Sequence, residues 1–256
     1  MSDNLFRAIR TAHPVVHCIT NHVTSNDCAN LLLACGAIPV MADAPEETAE
    51  ITARSSALVI NLGTPRSSTL PAMLAAGREA ARLGHPIVFD PVGVGASEFR
   101  NEMARTILRE LPITVIRGNR REIGVLCESA GSVGDASELA RKFGCIVIMS
   151  GEEDLITDGN HSRRIRNGHP ILRQITGAGC MLSALLGAFL STVPVDADAS
   201  VRLNACAKTV GAMGFAGEIA AARMRPEDGN ASCRNYLIDA LYRMDDEQLE
   251  AGIKMN

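Results

Sequence analysis

Ala57-Leu58-Val59-Ile60-Asn61, then a helical stretch over residues 67–83, then Pro86-Ile87-Val88-Phe89-Asp90 decide the fold. The two outer pieces are short apolar runs without alternation, as expected of strands covered on both faces. Between them Leu70, Met73, Leu74, Gly77 and Ala81 recur at three- and four-residue spacing. That spacing predicts an amphipathic helix, stopped by Gly84.

The same alternation continues in both directions. Upstream, a short helix over 5–11 precedes a strand at Val15-Val16-His17-Cys18-Ile19, and a helix from Asn26 to Cys35 closes on Gly36. Ile38-Pro39-Val40-Met41 reads as a strand whose proline places it at an edge or a strand start, and a short helix covers 46–54. Downstream, Phe99, Met103, Ile107, Leu108 and Leu111 mark a helix, followed by a strand at 114–117. Asn119 with Glu122, and Asp135 with Glu138, have capping-box spacing at helix starts. Ser129 to Gly134 is a flexible loop between those helices, and Ile146-Val147-Ile148-Met149-Ser150 is the last strong strand. Strands near 154–157 and 162–166 flank Asp158-Gly159-Asn160, a hairpin signal. From Ala178 onward the chain is helical, with helices near 198–223 and 230–244. Strands alternating with helices make an α/β fold, a mostly parallel central sheet covered by helices on both faces. A small β-hairpin and a helical C-terminal part complete it. No linker, repeat or composition shift divides residues 1–256, which read as a single domain.

Composition agrees. Hydrophobic residues are 46% of the chain but aromatics only 3%, so the core is built from Ala, Leu, Ile, Val and Met. A net charge of −4, with both signs interspersed, argues against nucleic acid as partner. No apolar run is long enough for a membrane span, and Met1-Ser2-Asp3-Asn4 does not start a signal peptide. Eight cysteines without a Cys-x-x-Cys pair read as buried thiols of a reducing compartment. The expected location is cytoplasmic.

In an open parallel sheet, ligands bind beyond the carboxyl ends of the strands. The polar residues there are Asn21, Met41 to Asp43, Asn61 to Thr64, Asp90 to Gly95, Arg117 to Glu122 and Ser150 to Glu153. Carboxylates, an arginine, small hydroxyls and glycines suit a phosphorylated ligand with a divalent cation. No dinucleotide fingerprint follows the first strand, and no P-loop motif occurs. Thr176-Gly177-Ala178-Gly179-Cys180-Met181 adds a glycine turn feeding a helix in which Ser183 is the only polar side chain before Leu190. Such a helix is buried on all sides. Its unpaired first N–H groups and dipole favour an anion, which glycine lets approach closely.

Read singly, these residues also have structural explanations. Cys180 reads as a core thiol, Met41 as core filler, and Glu122 as the N3 partner of Asn119. His17 and His22 read as structural histidines.

Seven motifs in order carry a resemblance. They are Pro14 to Asn21, Ala37 to Ala42, Asn61-Leu62-Gly63-Thr64, Asp90-Pro91-Val92-Gly93-Val94-Gly95-Ala96, Ile116 to Ile123, Ser150-Gly151-Glu152-x-Asp154 and Thr176-Gly177-Ala178-Gly179-Cys180. From about His13 to Met244 the set resembles hydroxyethylthiazole kinases, of the ribokinase-like superfamily. The resemblance implies ATP-dependent phosphorylation of 4-methyl-5-(2-hydroxyethyl)thiazole in thiamine salvage, with Mg²⁺, in a homotrimer whose thiazole pocket lies between subunits. It puts Met41, Gly177, Asn21 and Thr64 on the substrate side. Arg117, Ser150 and Asn119 fall on the ATP side, with Asp90 and Glu122 organising Mg²⁺ and phosphate. Cys180, with Gly177 and Gly179, stands at the reacting hydroxyl, where most of the superfamily carries Asp. Ser150 replaces a usual Thr, the 128–135 loop is short, and Asp228-Gly229-Asn230-Ala231-Ser232-Cys233 replaces a glycine-proline turn. A same-fold kinase for another heteroaromatic alcohol, or an ADP/ATP-dependent NAD(P)HX dehydratase, are the alternatives.

Overall fold

The computed structural model describes residues 4–256; Met1, Ser2 and Asp3, which belong to the start read above for a leader, lie outside the described residues. One eight-stranded sheet runs in the order β2-β1-β3-β4-β5-β6-β7-β8. The strands are β1 (Val15–Ile19), β2 (Ile38–Val40), β3 (Ala57–Asn61), β4 (Ile87–Asp90), β5 (Val115–Asn119), β6 (Ile146–Ser150), β7 (Asp154–Thr157) and β8 (Ser162–Ile165). β1 to β6 pair in parallel, and β7 and β8 form the expected antiparallel hairpin. β2, the strand with a proline, is an edge, where its missing N–H leaves no ladder bond unmade.

Eleven helices are described: α1 (Leu5–Ala12), α2 (Ser25–Cys35), α3 (Thr48–Ala53), α4 (Thr69–Leu83), α5 (Glu98–Glu110), α6 (Arg120–Leu126), α7 (Val133–Phe143), α8 (Ala178–Leu190), α9 (Ala199–Arg223), α10 (Asn230–Arg243) and α11 (Asp246–Gly252). They cover both faces. Successive strand residues point to opposite sides, so Val59 and Val88 join the core beneath α1, α2, α8, α9 and α10, whereas Leu58, Ile60, Ile87 and Phe89 join the core beneath α4, α5 and α7. This is why the strands read as unbroken apolar runs. α8 packs on β1, β3 and β4 and under α2 and α9, with every side chain from Cys180 to Leu190 buried.

The first capping box is present: Asn119 Oδ1 accepts from Glu122 N at 2.9 Å, and Glu122 Oε2 accepts from Asn119 N at 2.8 Å. The second lies elsewhere. Ser132 caps α7, its hydroxyl accepting from Asp135 N at 3.1 Å, so Asp135 is the third helical residue and not the cap. Two overlapping registers three residues apart compete here, and Ser132 has the extended backbone a cap needs. The loop after α6 is correspondingly shorter. A 3₁₀ turn at Pro170–Gln174, α11 and a bridge from Ile165 to Met255 were not anticipated.

Candidate active site

The carboxyl ends of β1, β3, β4, β5 and β6 converge on the start of α8. Gly177 caps this helix at φ 79°, a left-handed conformation, without any side-chain cap for the first-turn N–H groups. A Cβ there would stand 2.2 Å from Thr24 Cγ2, so both backbone freedom and space require glycine. The positive helix end is thus bare.

On one flank, Arg117 Nε and Nη2 donate to Ser150 Oγ at 3.2 and 3.0 Å. Its Nη1 lies 3.7 Å from Asp90 Oδ2. A cleft of about 650 Å³ opens beside this pair, lined by Arg117, Asn119, Ser150, Gly151, Asp154, Ala178 and Gly179 and closed by Asn167 to Pro170, Leu172 and Met213. Gly151 N donates to Asp154 Oδ1 at 2.8 Å, shaping the turn behind Ser150.

On the other flank, Asn21 Nδ2 and Asn61 Nδ2 both point at Cys180 Sγ, at 3.2 and 3.3 Å. Asn21 Nδ2 also donates to Asn61 Oδ1 at 3.0 Å, and Asn21 Oδ1 accepts from Thr24 Oγ1 at 3.0 Å. Burial, then the Asp90 charge, pushes the Cys180 thiol up, and the amide donors only partly offset this. Cys180 is therefore a neutral thiol at neutral pH.

Asp90 links the flanks. Its Oδ2 accepts from Asn61 Nδ2 at 3.0 Å and from Ser183 Oγ at 2.7 Å, whereas its Oδ1 is buried without a partner. Desolvation raises its carboxyl, against the Arg117 charge. Glu122 spends one oxygen on Asn119 N and the other on Gly93 N, at 3.0 Å, holding the loop after β4 to the start of α6. Among the described residues no group of three or more His, Cys, Asp or Glu side chains is placed to hold a metal.

The sequence matches the hydroxyethylthiazole kinase family over residues 6–247. It is 45% identical to hydroxyethylthiazole kinase of Methanoculleus marisnigri, over 96% of this chain and 89% of that one. With the Clostridium acetobutylicum enzyme of the same name it shares 42%, over 94% of each chain. The structure superposes on a hydroxyethylthiazole kinase protein from Pyrococcus horikoshii with a TM-score of 0.88 at 35% identity, covering 98% of this chain and 96% of that one. The chain belongs to the hydroxyethylthiazole kinase family. A pyridoxal kinase from Staphylococcus aureus in complex with ADP, at 16% identity and a TM-score of 0.58 over 77% of this chain and 86% of that one, shares the fold alone.

Set in this family, the residues singled out from sequence do not all meet at one point. Asp90, Arg117, Ser150, Gly177, Gly179, Cys180 and Asn21 meet at the start of α8. Asn119 and Glu122 lie one step away, at the cap of α6. Thr64 stands behind Asn21, its hydroxyl accepting from His22 N at 3.2 Å. Met41 packs partly buried against the core beneath α8. His17 is structural, bonded through its ring nitrogens to Thr52 Oγ1 and the Ala42 carbonyl, at 2.8 Å each. Sequence reasoning counted Asn61 among the strand-end candidates but gave it no role, and it passed over Ser183, Thr24 and the wall from Asn167 to Arg173. For Ser183 a signal existed, because a lone hydroxyl inside an otherwise apolar buried helix must find a partner.

Proposed function

We propose that this protein transfers the γ-phosphoryl group of ATP to the primary hydroxyl of 4-methyl-5-(2-hydroxyethyl)thiazole, a salvage step toward thiamine. One observation carries the reading. A bare glycine turn at the start of α8 lies between a guanidinium, on the side of a cleft, and a buried amide–thiol cluster on the other. Phosphoryl transfer asks chiefly for positioning and for neutralising charge on the moving group, and this arrangement supplies both.

Arg117 and Ser150 hold phosphate oxygens of ATP in the cleft, flanked by Asn119. The N–H groups behind Gly177 and Gly179 receive the transferring phosphoryl group. Met41, Asn21 and Thr64 face the thiazole, and Cys180 touches its hydroxyl. Mg²⁺ suits the donor set: it takes one or two carboxylates and completes its shell with phosphate oxygens and water, and Asp90 Oδ1 is a buried acceptor without a donor. Asp90 and Glu122 would hold it. Bound there, the ion adds positive charge beside the phosphates. Cys180 works as a neutral contact. In a loose transition state the alcohol bond forms late, so a strong base is not demanded.

The family's homotrimer belongs to this reading, with the thiazole pocket between subunits. None of Met41, Asn21 and Thr64 lines the cleft. Val23 in the turn before α2, Leu33 on α2 and Ile38 on β2 are 66%, 58% and 47% exposed. All eight cysteines are free, in keeping with the cytoplasm. No helix among the described residues is long and apolar enough to cross a membrane.

The test is ADP release with Mg²⁺ against a panel holding the hydroxyethylthiazole, a pyridoxal-type alcohol, a pyrimidine alcohol and hydrated NADH. Formation of thiazole phosphate well above the other products supports the reading. No turnover on any alcohol, or turnover on hydrated NADH alone, overturns it. Sedimentation velocity reports the trimer, and a monomer fully active on the thiazole would refute the shared pocket.

A further inference from the structure

Ser183 lies one turn into α8, buried with no access to solvent, and so touches neither the cleft nor the thiazole side. Its hydroxyl has one proton and two acceptors within reach, Asp90 Oδ2 at 2.7 Å and Gly179 O at 3.3 Å. The shorter, charge-assisted bond to the carboxylate wins. Asn61 Nδ2 supplies a second donor to the same oxygen at 3.0 Å. Oδ2 is thereby tied on two sides to the fold, by α8 and by the end of β3, and the carboxylate cannot rotate without breaking both bonds. Oδ1 alone is left bare. A bare, buried carboxylate oxygen is costly unless something positive meets it in the working state.

We infer that Ser183 is a positioning residue, which with Asn61 locks Asp90 so that Oδ1 is presented to the divalent cation accompanying the nucleotide. This rests on the phosphotransfer reading above. The group that turns Asp90 stands on the same helix whose first turn receives the phosphoryl group, so the two halves of the site move as one body. Partners that orient a metal-ligating carboxylate change metal affinity when removed, even though they never touch the ion.

The test uses Mn²⁺ with ADP as the probe, binding being read by electron paramagnetic resonance without turnover. Ser183→Ala should weaken Mn²⁺ binding to the ADP complex by about 10- to 100-fold, with thiazole binding in equilibrium dialysis unchanged. Ser183→Thr, which keeps the hydroxyl, should restore most of the loss. Ser183→Cys, of similar volume and with a weak donor, should fall between, and it serves if the alanine variant does not fold. A double-mutant cycle adds a readout that mere packing would not move. On an Asp90→Asn background, Ser183→Ala should cost nothing further in Mn²⁺ affinity. Wild-type affinity in the alanine variant, losses that add in the double variant, or a wild type that binds no Mn²⁺ with ADP would each overturn the inference. If the wild type shows this binding pattern but makes no thiazole phosphate, the substrate reading falls and the positioning role stands.

Discussion

Arg117 fills the space in which a side chain at position 179 would begin: a Cβ on Gly179 would lie 2.3 Å from Arg117 Nη1. The clash is with the free end of a flexible side chain, not with backbone. Gly179→Ala is therefore expected to fold, because the guanidinium can swing away, but with a lower melting temperature, because the buried Asp90 carboxylate loses its nearest positive charge. The guanidinium cannot swing away and keep Ser150 and Asp90 as partners. A displacement of about 1 Å costs on the order of 10²-fold in rate, so kcat/KM for ATP should fall by about that factor. Unchanged kinetics in a stable variant would contradict the placement of Arg117.

Gly177→Ala should behave differently. Its Cβ would meet the buried, β-branched Thr24, and φ 79° is itself unfavourable for alanine. Strain and overpacking together are worth about 2–5 kcal/mol, read as a lower urea midpoint. A variant as stable as the wild type would mean that the turn relaxes freely.

Cys180 should be dispensable for basal turnover. Its thiol is pushed up by burial and by Asp90, so the rate should show no ionisation of this residue around neutral pH. Cys180→Ala should retain measurable activity. Cys180→Asp would place a carboxylate within reach of both amide donors and beside Asp90, whose charge moves its ionisation toward neutrality, where a general base works best. Activity equal to or above wild type is expected. An alanine variant without any turnover in a coupled assay would make the thiol indispensable.

Alkali should begin to destabilise the protein before its lysines titrate. Burial pushes Cys18, Cys145 and Cys206 from 9.0 up to about 12, and Cys35 to about 11. These thiols stay protonated in the fold but ionise near 9 once the chain unfolds. The unfolded state thus binds fewer protons, and stability declines as pH rises from about 9 toward 11 or 12. Each thiol removes up to about 1.4 kcal/mol per pH unit in that window. The urea midpoint should drop between pH 8 and 10, and drop less in Cys206→Ala. Equal midpoints at both pH values would refute the account.

The chain dictated its layered sheet almost unaided. Runs such as Leu58-Val59-Ile60 and Ile87-Val88-Phe89 are apolar on both faces, and only a strand sandwiched between helices buries both. Pro39 marked the edge, and Gly36 and Gly84 marked helix ends, because backbone chemistry acts over two or three residues. The cap of α7 was ambiguous for the same reason, since local spacing offered two registers. Strand ends and the glycine turn marked the candidate site, and the order of the seven motifs pointed to the family.

What the tertiary structure decided is who touches whom. Asp90 and Ser183 are 93 residues apart in the chain, and Asn21 and Cys180 are 159 apart, yet both pairs are bonded. No periodicity encodes such a distance. Only the closing of the sheet under α8 brings β1, β3 and β4 to one helix start. There, burial raises the Cys180 thiol and leaves Asp90 with one oxygen held and one bare. Residue types were written in the sequence; the burial and electrostatic field that give them roles exist only once the fold has closed.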